Sequence, residues 1–345
     1  MPDGVIWLNM AERTGWYAAE LRRELMDRNR LWARAHAHVE SYGNPPVIVY
    51  PPQDEGTHGN FFPGSYAAIA AQPAWMRRFD KIHAQGRALP KAESGRRWRE
   101  LDSSMSSDAL LMNLFCAPGV IHSAQVRGAL GIDGEALPEF GWKARVPLAN
   151  GRFDRTEVDM RWGSLLIEAK LTEADFQTRA ATVVEAYRHF DAVFDRERLP
   201  RVALRTARRR TAVEFAEEFT QEWEEAAADD ELARAFQQSL VDRAREAEPS
   251  EPAYTGYQLI RNVLAAYAAD CRFCVVHDAR RPDLREAWFA VMAAVKSAEM
   301  RTRCQVMTWQ ELAALAPEEL QEFLDLKYGI VRAGRAASNA ESLTE

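Results

Sequence analysis

Two short apolar segments near the middle of the chain alternate hydrophobic and polar positions as β-strands do. They are EVDMRW and LLIEAKL, and they enclose the pair Gly163 and Ser164. A Gly-X pair between two alternating segments favours a two-residue type II′ hairpin turn. The pattern therefore predicts a β-hairpin in which Trp162 faces Leu165.

This register sorts the side chains of the hairpin into two sets, because successive residues of a strand point to opposite faces. On one face it sets Asp159 opposite Glu168. On the same face it sets Glu157 opposite Lys170. The apolar members are expected to share the other face: Val158, Met160, Ile167 and Ala169.

The charged face contains two carboxylates directly across a strand pair, an arrangement that costs free energy through repulsion. A divalent cation would reverse that effect, and the oxygens of Asp159 and Glu168 suit Mg²⁺ or Mn²⁺. The ammonium of Lys170 could then stabilise the negative charge that develops on a phosphate. The alternative is a solvated hairpin face with an ordinary ion pair between Glu157 and Lys170.

These residues also resemble a known family. Asp159, eight intervening residues and the run Glu168-Ala169-Lys170 resemble the D-x(n)-(D/E)-x-K signature of the PD-(D/E)xK nucleases, the restriction-endonuclease-like superfamily. Their context RTEVDMRWGSLLIEAKLTEADF, the upstream WRELDSSMSSDALLMNLFC and the downstream GYQLIRNVLAAY are similar to a bacterial branch of restriction endonucleases. Val158 stands where the superfamily usually has Pro. The resemblance spans approximately residues 56 to 330.

The resemblance implies a metal-dependent endonuclease that hydrolyses phosphodiester bonds of nucleic acid, with DNA expected and RNA left open. In such a site Asp159, Glu168 and the backbone carbonyl of Ala169 would bind Mg²⁺ or Mn²⁺. Lys170 would be the third catalytic residue. A homodimer would suit cleavage of both strands, although the sequence identifies no interface.

Three further polar residues are candidates for the site. Glu139, at the start of the preceding strand, would supply a third carboxylate or is an ordinary residue of a strand edge. Glu157 would hold the ammonium of Lys170 in place. Gln258 opens a later helix and either approaches the site or caps that helix.

The distribution of charge bears on the partner. A net charge of −7 argues against non-specific wrapping of nucleic acid, but local basic patches can still bind it. Arg261 is one candidate for phosphate contact. A basic cluster follows the hairpin and is either a phosphate-binding patch or a solvated helix face: Arg205, Arg208, Arg209 and Arg210.

The chain of 345 residues has 47% hydrophobic and 28% charged residues, as an ordinary globular protein does. It has no apolar run of about 18 residues and no signal-peptide pattern, so we expect a cytoplasmic protein without membrane contact. Two roles other than catalysis stay open on the same fold. They are nucleic-acid binding without cleavage and partner binding.

Strands and helices that alternate after the hairpin predict an α/β fold. Its restriction-endonuclease-like core would be a mixed central β-sheet flanked by helices. We expect a helical and loop extension over residues 1–100, beginning with a helix over 10–41. A nuclease-like domain over 101–330 would carry a helical insertion at about 172–250. The tail, 331–345, is expected to be disordered.

Overall fold

The structure is a computed structural model that describes residues 10–53, 56–83, 89–91, 97–155, 157–203 and 252–330. The α-helices of these residues are α1 (Met10–Ala33), α2 (Pro63–Ala71), α3 (Pro73–Met76), α4 (Ser107–Phe115), α5 (Ala124–Leu130), α6 (Ala181–Val184), α7 (Phe190–Val193), α8 (Tyr257–Ala268), α9 (Pro282–Met292), α10 (Ala298–Thr302), α11 (Trp309–Ala313) and α12 (Glu318–Tyr328). The strands are β1 (Val39–Glu40), β2 (Ile48–Val49), β3 (Glu139–Lys143), β4 (Val146–Pro147), β5 (Phe153–Asp154), β6 (Glu157–Trp162), β7 (Leu165–Ala169), β8 (Thr178–Ala180), β9 (Arg201–Ala203), β10 (Pro252–Thr255), β11 (Arg272–His277) and β12 (Cys304–Thr308).

Five strands form the central sheet in the order β12-β11-β7-β6-β3. Strands β3, β6 and β7 are antiparallel neighbours, whereas β7, β11 and β12 run parallel. Parallel neighbours require long crossover connections, and helices supply them here. The mixed α/β sheet flanked by helices that the sequence predicts is confirmed.

The central hairpin of this sheet has the predicted register. Trp162 pairs with Leu165 and Met160 pairs with Ile167. Gly163 has a φ of +59°, the left-handed value that the first position of a type II′ turn requires. The Gly-X pair therefore fixes which side chains of the two strands meet.

The two faces of the sheet carry separate hydrophobic cores. The α1 face buries Met160, Ile167 and Ala169 beneath α1, α4, α5, α11 and α12. The α8 face buries Leu166 and Val275 beneath α8 and α9. Strand β7, which lies between the cores, is buried along its whole length. A charged side chain on β7 is therefore held in an environment with little water.

One residue of the predicted apolar face lies elsewhere. Val158 packs in the core of the α8 face, whereas Met160 packs in the core of the α1 face. The regular alternation is broken at Gly141, which has a φ of +67° and sits between the pairs Phe140–Met160 and Trp142–Val158. Left-handed backbone in a strand distorts the pleat in the manner of a bulge.

The N-terminal helix is shorter than the sequence pattern predicts. It ends at Ala33 instead of 41, because Val39 pairs with Val49 in the β1–β2 ladder and this pairing takes the chain out of the helix. Its residues Leu21 and Leu25 pack in the same core as the hairpin. The N-terminal region and the sheet thus share one hydrophobic interior.

Other predicted helices have the capping residues that their sequences indicate. The side chain of Ser106 accepts a hydrogen bond from the backbone N–H of Ala109 and caps α4. Helix α5 ends at Gly131, which has a φ of +60°. Helices α8 and α9 and strands β11 and β12 also form where the periodicity predicts them.

The described part of the predicted insertion contains β8, α6, α7 and β9. Strands β8 and β9 both pair with β10 in a three-stranded antiparallel sheet. The predicted helical segment beyond 203 and the predicted disordered tail lie outside the described residues. Within the described ranges, no helix has the length and apolar character needed to cross a membrane.

Candidate active site

Asp159 and the end of β7 are joined by a direct contact. Oδ2 of Asp159 accepts a hydrogen bond of 2.7 Å from the backbone N–H of Ala169. The last backbone pair of the hairpin is Met160 with Ile167. Beyond it, the Asp159 carboxylate takes the place of a backbone carbonyl as the acceptor for the N–H of Ala169. This contact holds Asp159 against the run Glu168-Ala169-Lys170.

Glu168 is a buried carboxylate with a donor on each oxygen. Nζ of Lys170 donates to Oε1 at 2.7 Å, and Nδ2 of Asn262, on α8, donates to Oε2 at 2.7 Å. Hydrogen bonds to both oxygens fix the orientation of the carboxylate. Oδ1 of Asn262 is itself buried, with no hydrogen-bond partner among the described residues.

The pKa values of Asp159 and Lys170 are both raised, for different reasons. Burial raises the pKa of Asp159 well above its usual value, and the carboxylates of Glu168 and Asp108 raise it further. Burial alone lowers the pKa of Lys170, but the carboxylates of Glu168, Glu173 and Asp159 more than offset that effect, so its pKa is raised. Lys170 is therefore a stable ammonium ion.

The donor set fits a hard divalent cation. Asp159 and Glu168 offer carboxylate oxygens, which Mg²⁺ and Mn²⁺ prefer. The N–H of Ala169 points toward Asp159, and in a strand the carbonyl of the same residue points to the same side. In the part of the chain that the structure describes, no three His, Cys, Asp or Glu side chains are grouped as a metal site. Metal binding would thus use two carboxylates and a main-chain carbonyl.

Asp108 is an acidic neighbour of this site that sequence reasoning missed. It lies in the first turn of α4, and its Oδ2 accepts a hydrogen bond of 2.6 Å from Nη2 of Arg78. Nη1 of Arg78 donates to Oε1 of Glu157 at 2.5 Å. Nζ of Lys81 lies 3.5 Å from Asp108 and 3.6 Å from Glu157. Two cations therefore bridge two carboxylates beside Asp159.

The expected ion pair between Glu157 and Lys170 is wrong. Glu157 pairs with Arg78 and Lys81, and Lys170 pairs with Glu168. The reason is the break at Gly141, which also leaves room for the guanidinium of Arg78 against β3. Glu157 belongs to the edge of the charged cluster and does not hold the ammonium of Lys170.

The segment that follows Lys170 is fixed by three side chains, those of Ser107, Glu173 and Arg281. Oγ of Ser107 donates to Oε1 of Glu173 at 2.6 Å, and the N–H of Leu171 donates to Oε2 of Glu173 at 2.6 Å. The buried guanidinium of Arg281 donates to the carbonyls of Glu173 and Ala174, each at 2.8 Å. The backbone is therefore fixed by hydrogen bonds at the residue before Lys170 and at the residue after it.

Glu139 is not linked to the pair of carboxylates. It is exposed on the edge strand β3 and pairs in register with Arg161, toward the turn of the hairpin. No hydrogen bond or ion pair joins it to Asp159 or Glu168 within the described residues. Among the predicted acids, the structure thus brings together Asp159 and Glu168 and leaves Glu139 apart.

Helix α8 carries the other predicted residues. Gln258 is half-buried, and its backbone N–H donates to the carbonyl of Phe176. Asn262, one turn later on the same side of the helix, is the residue that contacts Glu168. Arg261 lies over the ring of Tyr257 at 5.5 Å. The other predicted phosphate-binding residues lie outside the described residues: Arg205, Arg208, Arg209 and Arg210.

Comparison with protein families gives one match. A family model described as "Restriction Endonuclease associating with ARP" matches residues 29–329. The matched range includes β6, β7, α4 and α8, which carry the carboxylates, the lysine and Asn262. The chain matches no curated protein and no solved structure.

Proposed function

The chain belongs to the family described as restriction endonucleases associating with ARP, and on that basis we propose that it is a metal-dependent nuclease of the PD-(D/E)xK type. Its reaction would be hydrolysis of phosphodiester bonds in nucleic acid, with DNA as the substrate. One observation carries this proposal. Asp159 and Glu168 lie on two adjacent strands just past the last pair of their register, with the ammonium of Lys170 on the second carboxylate.

We propose that Asp159, Glu168 and the carbonyl of Ala169 hold Mg²⁺ or Mn²⁺. When bound, the ion supplies Lewis-acid polarisation of the phosphate and lowers the pKa of a water molecule. The chain prepares the ligands before binding. Asn262 and Lys170 fix the plane of the Glu168 carboxylate, and the N–H of Ala169 fixes Asp159.

Lys170 has the properties of a charge stabiliser. In the metal-free protein the neighbouring carboxylates raise its pKa, Glu168 most of all, so it is an ammonium ion at neutral pH. A fixed ammonium next to the cleaved phosphate would stabilise the negative charge that grows in the transition state. Burial strengthens this interaction because little water competes for the charge.

The alternative is a module that binds nucleic acid or a protein partner without cleavage. In that role the Lys170–Glu168 pair would be a structural ion pair. The alternative predicts that the protein binds without hydrolysis and that the binding does not depend on a metal.

The test is an incubation of the protein with supercoiled plasmid and with single-stranded DNA, in Mg²⁺, Mn²⁺ or EDTA. Asp159→Ala is the test variant, and Asp133→Ala, an exposed carboxylate near the hairpin turn, is its control. We expect metal-dependent nicking by the wild type and Asp133→Ala, with none by Asp159→Ala. Equal cleavage by all three would remove the hairpin from the reaction, and DNA binding without any cleavage would favour the alternative.

A further inference from the structure

Arg22 lies on a helix that is packed against the core and has Glu173 as an electrostatic neighbour. It follows Leu21 on α1. Leu21 and Leu25, one turn apart, are both buried in the core. The helix is attached to the loop after β11 by an ion pair of 2.8 Å between Arg280 and Glu24. The position of Arg22 is therefore set by packing and does not depend on a loop.

The guanidinium of Arg22 has no partner in the described structure. No hydrogen bond or ion pair joins it to another described residue. Burial lowers the pKa of Arg22, the carboxylate of Glu173 offsets this only in part, and Arg281 lowers it further. A guanidinium has five N–H donors, and desolvating them without acceptors costs free energy. Arg22 is half-buried, so its guanidinium is accessible and has N–H donors free for an anion.

Arg261 is in a similar position on the other side of the sheet. It lies on α8 next to Asn262, and its Nε is buried without a hydrogen-bond partner. No ion pair joins it to another described residue. Burial alone would lower the pKa of Arg261, but Tyr257, Asp154 and Glu168 offset this and raise it. Arg261 is thus a permanent cation next to the carboxylate that Asn262 orients.

The two arginines lie on helices that pack on opposite faces of the sheet. Helix α1 packs on one core and α8 on the other. The electrostatic neighbour of Arg22 is Glu173, whose carboxylate is joined to the chain directly after Lys170. The electrostatic neighbours of Arg261 include Glu168. The two helices that carry these arginines thus cover the two faces of the sheet whose strands carry Asp159 and Glu168.

We propose that Arg22 and Arg261 bind backbone phosphates of one nucleic-acid strand, on the two sides of the phosphate at Asp159 and Glu168. This inference rests on the proposed function. It describes the path of the nucleic-acid strand, which would run across the site from Arg22 to Arg261. Guanidinium groups bind phosphate through two parallel hydrogen bonds, so each arginine would fix one position of the strand. Arg22 precedes the residues matched by the family model.

The test measures binding of labelled single-stranded and duplex DNA as a function of salt, in EDTA and in an Asp159→Asn background. Each phosphate contact that is lost lowers the slope of log K against log salt by about 0.7 to 0.9. We expect that decrease for Arg22→Gln and for Arg261→Gln, and roughly twice as much for the double variant. Arg23→Gln, at the exposed neighbouring position of α1, is the control and should keep the parent slope.

Two further outcomes separate this inference from the proposed function. Slopes for Arg22→Gln and Arg261→Gln equal to that of Arg23→Gln would overturn the strand path and leave the nuclease proposal intact. Absence of DNA and RNA binding by the wild type itself would overturn the proposed function. Arg22→Lys keeps the positive charge but lacks the planar guanidinium group. A melting temperature equal to that of the parent protein shows that a change in slope reflects a lost phosphate contact and not a damaged fold.

Discussion

The ammonium of Lys170 donates a hydrogen bond of 2.7 Å to the carboxylate of Glu168, two residues earlier in the chain, and both side chains are almost fully buried. The cation proposed to act on the phosphate thus neutralises one of the proposed metal ligands. A divalent ion on Glu168 would compete with Lys170 for that carboxylate. Metal binding would release the ammonium toward the substrate.

Replacing Lys170 separates binding from turnover. We expect Lys170→Met to bind metal and DNA but to cleave about 10²- to 10⁴-fold more slowly, because the positioned charge is lost. Single-turnover cleavage gives the rate, and fluorescence anisotropy gives the affinity. Lys296→Met, at an exposed lysine, is the control and should cleave normally. A wild-type rate in Lys170→Met would remove Lys170 from the mechanism.

Asp159 makes the metal-free protein sensitive to pH. Its pKa is raised in the folded state by burial and by the carboxylates of Glu168 and Asp108, so the folded protein holds this proton to higher pH than the unfolded chain does. This contribution to stability is full below the unfolded pKa and is lost as the pH rises through the folded pKa. Asp159→Asn should therefore melt on the order of 1–2 °C higher than the wild type in EDTA at neutral pH.

In Mg²⁺ the wild type should have a higher melting temperature than Asp159→Asn, the reverse of the order in EDTA. The ion neutralises the carboxylates of the wild type and is expected to raise its melting temperature, with a much smaller effect on Asp159→Asn. The acid limb of the cleavage profile should also move to lower pH as Mg²⁺ increases, since metal and proton compete for Asp159. Differential scanning calorimetry and pH–rate profiles at two Mg²⁺ concentrations measure both effects. An acid limb independent of Mg²⁺ would contradict this account.

The sequence predicts the hairpin well because its information is local. Alternation and the Gly163 turn determine which residues of β6 and β7 meet, and the confirmed register follows. The residues that complete the site lie far along the chain. Asp108 looks like an ordinary acidic residue in the first turn of a helix, which the helix dipole favours anyway. Nothing local indicates that α4 packs against β7.

Asn262 was missed for a different reason. The sequence places a polar residue of α8 near the site but selects Gln258, because it opens the helix. Helical geometry brings residues four apart to one side, so Asn262 shares a side of α8 with the predicted Gln258. Only the packing of α8 against β7 decides which of them reaches Glu168. The guanidinium that fills the space beside Gly141 likewise belongs to Arg78, which is distant in sequence.

Removing the amide of Asn262 tests the orientation of Glu168. Asn262→Leu leaves Oε2 of a buried carboxylate without its donor and should lower the free energy of unfolding by about 1–3 kcal/mol. It should also raise the Mg²⁺ concentration needed for half-maximal cleavage. Urea denaturation and metal titration of cleavage measure the two effects. If Gln258→Leu raised the Mg²⁺ requirement and Asn262→Leu did not, Gln258 would be the functional residue of α8.

Gly141 and Arg78 provide a test of the second charged cluster. Arg78 is buried and bridges Asp108 and Glu157, so Arg78→Met should destabilise the protein by up to about 3–5 kcal/mol, because two carboxylates beside Asp159 keep only Lys81 as their cation. A Cβ at residue 141 would collide with the guanidinium of Arg78. Gly141→Ala should therefore displace Arg78 and lower both stability and cleavage.

Gly151→Ala is the matched control, since Gly151 also has a positive φ, of +83°, but nothing lies within 4 Å of an added Cβ. Both variants carry backbone strain of about 1 kcal/mol. Chemical denaturation should show a larger loss for Gly141→Ala, and only that variant should cleave more slowly, because only there does the guanidinium move away from Asp108 and Glu157. Equal losses in the two variants would mean that Arg78 adjusts without cost and that its bridge contributes nothing to the site.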